Sequence, residues 1–309
     1  NNTASVAFHN SYTKNEGDSL QNPTSFQIHK LASFNGVKTD FAGVTFNLYA
    51  EGDTQTSIAS GTTVANGIAT INIPESALGT LAEGATKTFT LVEEPQTGYE
   101  STGTWTVTAT SQGFEMKFND ASKLWDKIYS WITSIITGDD KTSKFEGNTL
   151  TVINTRQTGS LTIEKAISGD IDSDSASLNT AKAMDYTFKV EAGTDTKADV
   201  AGQTINGEEF DNGVAYVTIT GEGTKTIRGL PTGSYTVTEV NPNHSLVTAD
   251  SYEVDYYKLV VPQAATANVT DGDTAKATIT NTYNKDTGSS QATLTIRKEI
   301  KGTLNGGEA

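Results

Sequence analysis

Ser160-Leu161-Thr162-Ile163-Glu164-Lys165-Ala166-Ile167 alternates apolar and polar side chains with the period of a β-strand. Its apolar face runs Leu161, Ile163 and then Lys165, where another apolar residue is expected. An ammonium on the core-facing side of a strand is costly unless something compensates it. The same pattern recurs as Phe26, Ile28, Lys30 and as Leu294, Ile296, Lys298. A second recurring strand ends its inward face in a carboxamide: Val6, Phe8, Asn10; Leu150, Val152, Asn154; Ala277, Ile279, Asn281. A third ends in an acid: Phe89, Leu91, Glu93 and Tyr235, Val237, Glu239. Along the chain the order is lysine, glutamate, asparagine, each on the core-facing parity of its strand.

This order sets the domain frame, because internal repetition precedes every finer assignment. Residues 4–12 align with residues 275–283, so residues 1–12 read as the last strand of a preceding domain. Residues 160–167 align with 293–300, so residues 293–309 read as the first strand of a following one. Two complete units lie between, at 23–156 and 159–284. The chain is therefore expected to be a segment of a longer tandem array. Polar, Gly/Ser/Asp-rich stretches at Thr13–Pro23 and Asn284–Gln291 fit linkers. Within the units, Val44–Tyr49, Gly67–Ile73, Tyr186–Val190 and Val214–Ile219 are further alternating strands, and Asn66-Gly67 is expected to form a tight hairpin turn.

The composition agrees with an all-β reading. The 309 residues hold 35% hydrophobic residues, 28 glycines and no cysteine, and threonine recurs in alternating runs. The formal net charge of -15 argues against nucleic acid or an anionic membrane as partner, since both call for basic patches. No stretch reaches the length of a membrane span, so no membrane insertion is expected in this segment.

One segment departs from the strand pattern. Leu124, Ile128, Trp131, Ile135 and Trp125, Tyr129, Ile132, Ile136 form two adjacent helical stripes, with Asn119 or Asp120 able to cap the start and Gly138 the end. An amphipathic helix is expected near 120–137, inserted in the first unit. It either packs over its own sandwich or offers an aromatic patch to a partner.

Lysine, glutamate and asparagine in one core have a specific chemistry. Desolvation lowers the pKa of the amine and raises that of the acid, so proton transfer between them becomes easy. A neutral amine beside a carboxamide can attack its carbon, with the acid polarising the carbonyl and moving the protons while ammonia leaves. The product is an amide between two side chains, and the buried charge is gone.

Lys30 on its strand, Phe-Thr-Leu-Val-Glu-Glu-Pro-Gln-Thr-Gly-Tyr at 89–99 and Val-Ile-Asn at 152–154 resemble the collagen-adhesin B-type (CnaB) domains of Gram-positive surface proteins and pilins. Leu-Pro-Thr-Gly-Ser-Tyr-Thr-Val-Thr-Glu at 230–239 and Ile-Thr-Asn-Thr-Tyr at 279–283 resemble related domains of pilus shaft subunits. The resemblance implies tandem immunoglobulin-like β-sandwiches with intramolecular isopeptide bonds from Lys30 to Asn154, assisted by Glu93, and from Lys165 to Asn281, assisted by Glu239. Glu94 adjoins Glu93 but has the opposite parity to Phe89 and Leu91. Asn10 and Lys298 are the equivalents in the partial flanking domains. Shaft pilins of the family carry a lysine in a Tyr-Pro-Lys-like context for sortase polymerisation, and that tripeptide does not occur in this sequence.

Other chemistry has little to stand on. Asp170, Asp172 and Asp174 alternate like the start of a calcium loop, but the expected glycine and closing glutamate are not in place, and an acidic solvated loop is the simpler reading. Three histidines without cysteine suggest no zinc site, and no serine-hydrolase elbow or phosphate loop is present. No cofactor or metal is called for. The expected role is structural: a stalk or pilus segment on the cell wall of a Gram-positive bacterium, outside the cell, in tandem with other pilin or surface-protein domains. The alternative is an adhesin module that binds a host protein or glycan. Enzymatic turnover of an external substrate is not expected, because the one reactive constellation consumes itself.

Overall fold

The computed structural model describes residues 24–53, 55–100, 103–119 and 143–287. The expected helix near 120–137, the flanking strands at 1–12 and 293–309, and with them Asn10 and Lys298, lie outside the described residues. The fold is all-β, built of immunoglobulin-like sandwiches, and the chain divides into two compact units close to Ser160 and Leu161.

In the first unit the strands are β1 (Ser25–Phe34), β2 (Val37–Asp40), β3 (Thr45–Ala50), β4 (Ser57–Thr62), β5 (Ile68–Asn72), β6 (Thr86–Glu93), β7 (Thr104–Thr110), β8 (Gly113–Phe118), β9 (Lys144–Glu146) and β10 (Thr149–Thr155). One sheet runs β2-β1-β10-β9 with β5 also paired to β1; the other runs β4-β3-β6-β7-β8. Period-two burial sends Phe26, Ile28, Leu150 and Val152 from the first sheet into the same core as Phe46, Leu48, Phe89, Leu91, Trp105 and Val107 from the second. Each such fully buried large side chain contributes about 1.5–3 kcal/mol of transfer free energy. Buried Trp105 satisfies its indole by donating Nε1–H to Ser143 Oγ at 2.9 Å. The outward parity is rich in threonine, and Thr45 and Thr62 pair hydroxyl to hydroxyl across β3 and β4 at 3.0 Å.

The chain ends of this sandwich lie side by side. β1 and β10 are parallel neighbours, with Lys30 opposite Val152 and Ala32 opposite Asn154. Parallel strands cannot be joined by a tight turn, and here the rest of the sandwich is the connection.

Two Asn-Gly turns behave differently. Asn35-Gly36 closes the β1–β2 hairpin, with Phe34 opposite Val37 and φ of 48° and 78° at the two turn residues, the conformation that suits a two-residue hairpin. Asn66-Gly67 makes the tight turn expected of it, with Val64 N–H donating to Ile68 O at 3.0 Å, but the strands it joins, β4 and β5, belong to different sheets. The turn itself is tight, with Gly67 N–H donating to Val64 O and Ile68 N–H to Asn66 Oδ1. Its local chemistry is that of a turn, but strand partnership is decided by which sheet each strand's apolar face can join.

The second unit repeats the plan with β11 (Thr158–Gly169), β12 (Asp185–Ala192), β13 (Gln203–Ile205), β14 (Glu208–Phe210), β15 (Val214–Thr220), β16 (Gly223–Pro231), β17 (Gly233–Val240), β18 (Tyr257–Val260), β19 (Ala265–Val269) and β20 (Thr274–Lys285). Its sheets are β16-β11-β20-β18 and β15-β12-β17-β19, with β13-β14 as a separate hairpin. A helix not anticipated from the sequence, α1 (Ser175–Lys182), follows β11. Asp174 caps it by accepting from the backbone N–H groups of Ala176 and Ser177. With only Ser177 and Ala181 buried on it, the helix lacks the apolar stripe by which periodicity is recognised.

Candidate functional site

The same three residue types meet in the core of each unit. In the first, Lys30 lies on β1 and Asn154 on the adjacent β10, two register positions apart and on the same face. Glu93 ends β6 in the facing sheet, where its strand partner is Phe46 on β3. The acid therefore reaches the lysine and the carboxamide from across the sandwich. Lys30 Nζ is 3.1 Å from Glu93 Oε1, and Asn154 Nδ2 donates to the same oxygen at 2.6 Å. Lys30, Glu93 and Asn154 are 0%, 4% and 1% exposed, which leaves no bulk water to solvate the charges.

In the second unit Lys165 on β11 and Asn281 on the neighbouring β20 face Glu239 on β17, whose strand partner is Phe188. Asn281 Nδ2 donates to Glu239 Oε1 at 2.8 Å, and Lys165 Nζ is 3.6 Å from Glu239 Oε2. These three are 1%, 3% and 0% exposed, in the order lysine, glutamate, asparagine. The phenylalanine opposite the acid, Phe46 or Phe188, puts the two sites in register with each other.

Burial dominates the electrostatics. Desolvation lowers Lys30 from 10.5 to about 8, against the opposing pull of Glu93, and lowers Lys165 likewise to about 8. Desolvation also pushes Glu93 and Glu239 upward, more strongly than the lysines and the carboxamide hydrogen bonds hold them down. Each pair is thus displaced toward neutral amine and protonated acid. In the second unit Glu239 Oε2 and Asn281 Oδ1 accept no hydrogen bond among the described residues. A protonated Glu239 and a half-turn of the Asn281 amide would satisfy the carbonyl oxygen by a hydrogen bond from the acid, which polarises the carbonyl carbon. Amine, acid and activated carboxamide in a dry core are the reactants of a transamidation.

Glu94 is on the solvent side, where Asn47 Nδ2 donates to its Oε1 at 2.9 Å. His29, next to Lys30 and of opposite parity, reaches Asp40 Oδ1 with Nε2 at 2.8 Å. The three aspartates weighed as a calcium loop spend oxygens on backbone donors: Asp170 accepts from Lys285 N, Asp172 from Gly169 N, and Asp174 caps α1. Among the described residues no three His, Asp or Glu side chains converge as metal ligands, and no helix is long and apolar enough to cross a membrane.

Two features of the sites went unread in the sequence. Gly67 touches the Lys30 backbone: its carbonyl accepts from Lys30 N–H at 2.7 Å, and a Cβ added to it would lie 2.5 Å from Lys30 O. Tyr186 lays its ring over the second lysine, with Lys165 Nζ 4.4 Å from the ring centroid. Tyr186 shares inward parity with Phe188 and Val190, and this was the available signal; parity alone does not say which inward residue meets the lysine.

Residues 161–284 match a family model described as a domain of unknown function, DUF5979. No curated protein sequence matches the chain. Solved structures similar to it include the Bacillus anthracis TIE protein, at 15% identity and TM-score 0.40 over 85% of this chain and 34% of that one. The chain thus spans about a third of that protein's length. The major pilin T-13 of Streptococcus pyogenes serotype GAS131465 is similar at 16% identity and TM-score 0.39, over 86% of this chain and 98% of the pilin. GBS52, the minor pilin of Streptococcus agalactiae, is similar at 13% identity and TM-score 0.29, over 90% and 99%.

Proposed function

We propose that this chain is a load-bearing segment of a Gram-positive surface adhesin or pilus, each of whose two sandwiches locks itself with one autocatalytic Lys-Asn isopeptide bond. The observation that carries the reading is the buried triad, present twice with the same strand placement and the same acid reaching across the sandwich. Lys30 Nζ as the neutral amine attacks Asn154 Cγ; Glu93 donates its hydrogen bond to the carboxamide oxygen and relays the proton from the attacking nitrogen to the departing one. The C–N bond of the carboxamide breaks, ammonia leaves, and an Nζ–Cγ amide remains. Lys165, Glu239 and Asn281 do the same in the second unit. The acid is regenerated, but lysine and asparagine are consumed, so the chain is its own single-turnover substrate and not an enzyme for others.

The strand geometry supports a mechanical role. In the first unit β1 and β10 are parallel, so tension entering before Ser25 and leaving after Thr155 shears the strand pair that carries Lys30 and Asn154. A covalent bond there passes the load from strand to strand and spares the remainder of the sandwich. It also withstands reductants, which a disulfide in the same place would not. Sequence resemblance to collagen-adhesin B-type domains supports a role on the bacterial surface, and tandem neighbours of the same kind and cell-wall attachment through sortase belong to this reading.

Intact mass under denaturing conditions tests it. The expected mass is that of the 309-residue sequence less two molecules of ammonia, with Lys30–Asn154 and Lys165–Asn281 recovered as branched peptides. A chain at full sequence mass overturns the proposal.

A further inference from the structure

The two triads are alike in register and differ in what surrounds the lysine. Counting from the phenylalanine opposite each acid, the residue two positions earlier is Val44 in the first unit and Tyr186 in the second. Both are fully buried. Lys30 has the shorter approach to its acid, 3.1 Å against 3.6 Å for Lys165. Lys165 has other company: Nζ donates to Ala166 O at 2.9 Å and sits 4.4 Å from the centroid of the Tyr186 ring, near enough for an N–H···π contact that the neutral amine can make as well as the ammonium.

Tyr186 is itself held at its far end. Its hydroxyl donates to Ala181 O at 2.9 Å, in the last turn of α1, and lies 3.4 Å from the hydroxyl of Tyr283. Tyr283 in turn donates to Tyr252 O at 2.9 Å and follows Asn281 by two residues on β20, on the same inward parity. The corresponding residue after Asn154 is Arg156. The Tyr186 ring is thereby anchored in a hydroxyl network at this end of the second core, while the first unit has an aliphatic residue and an arginine at the matched positions.

Resting on the isopeptide reading above, we infer that Tyr186 is a positioning residue of the second unit's cross-linking reaction: its ring face holds the Lys165 amine against Asn281 and Glu239, a task for which the first unit has no counterpart at Val44. The ring face makes the contact with the amine, and the hydroxyl, which fixes only the far end of the ring, contributes less. Small displacements of a reacting group cost large factors in rate, so loss of the ring slows one bond and not the other.

Cell-free synthesis of the full chain, sampled over time and digested, reads both bonds in one molecule. Tyr186→Leu is expected to slow formation of the Lys165–Asn281 peptide by about tenfold or more, with Lys30–Asn154 unchanged, and Tyr186→Phe is expected to stay near the native rate. Equal rates for Tyr186→Leu and the native chain overturn the inference, and so does a Phe variant as slow as Leu. Should Tyr186→Leu fail to fold in the second unit, a spectroscopic measurement decides. In an Asn281→Ala chain, which cannot close that bond, the ε-methylene protons of Lys165 are expected well upfield from the ring current of Tyr186, and an unshifted position overturns the inference. If the native chain forms neither peptide, it is the isopeptide reading that fails, and the ring-current measurement still judges the geometry around Tyr186.

Discussion

Gly67 and Lys30 are locked backbone to backbone: Lys30 N–H donates to Gly67 O at 2.7 Å, and the Gly67 α-carbon comes so near that an added Cβ would meet Lys30 O at 2.5 Å. The turn that carries the chain between sheets is therefore also a brace for the reactive lysine. Gly67 has a φ of +69°, which costs an L-residue about 1–2 kcal/mol before any clash is counted. Gly67→Ala is expected to lower the stability of the first unit by more than that amount in denaturant unfolding and to delay the Lys30–Asn154 bond, leaving Lys165–Asn281 on time. An Ala variant that matches the native chain in both readings removes the brace from the account.

The acid is assigned to Glu93 and not to its neighbour. Glu93→Gln keeps the shape of the site but cannot shuttle the proton, and is expected to slow the first bond by about two to four orders of magnitude. The chain would then weigh one ammonia more than native. Glu94→Gln, at a residue bonded to Asn47 on the solvent side, is expected to leave the mass at its native value. Glu239→Gln has the matching effect on the second bond alone. Peptide mapping checks all three.

Closing the loop from Lys30 to Asn154 stabilises the fold by constraining the unfolded chain. For a loop of this length the chain-entropy treatment used for disulfides gives about 4–5 kcal/mol. Asn154→Ala is expected to lose that much in the first unit, seen as a lower denaturant midpoint. Adding a thiol reductant to the native chain is expected to change nothing.

The pH dependence of the unlinked chain has a definite sign. In Asn154→Ala/Asn281→Ala both lysines remain amines, with pKa values of about 8 in the folded state against 10.5 when solvated. Between those values the unfolded state binds more protons, so stability rises with pH across that window. The penalty is fully present below about 8 and gone above 10.5. Glu93 and Glu239 act in the opposite sense at lower pH, because burial makes the folded state keep their protons longer, and stability declines as pH climbs through their raised values. The native chain, with its lysines converted to amides, is expected to lack the rise that these two lysines cause in the alkaline window. Denaturant midpoints measured across it for both chains would contradict the account if the two profiles coincide.

Asp174 links a surface cap to the second core. It accepts from Ala176 and Ser177 N–H at the start of α1, whose last turn provides Ala181 O for the Tyr186 hydroxyl. Asp174→Ala is expected to reduce helicity and the melting temperature of the second unit, while Asp174→Asn, which still caps, stays near native. Circular dichroism melts separate the two.

Much of this was legible in the chain itself. Period-two alternation placed the strands, and parity placed Lys30, Glu93, Asn154, Lys165, Glu239 and Asn281 on inward faces and Glu94 outside, because side-chain direction in a strand is fixed by counting. The α1 helix escaped because eight residues with two small buried side chains carry no periodic signal. The Asn66-Gly67 turn was legible, but not that it joins strands of different sheets, since turn chemistry is local and sheet membership is not.

The sequence by itself determined an all-β tandem of sandwiches and the six polar residues facing their cores, since both follow from the two-residue period and its repetition. Only the tertiary structure decided that Lys30 and Asn154 lie on neighbouring parallel strands while Glu93 crosses from the opposite sheet, that Gly67 props the lysine backbone, and that Tyr186 and not a valine lies over Lys165. Those are contacts between segments far apart in the chain, and the packing of two sheets against each other selects them; no local pattern encodes which inward residue meets which.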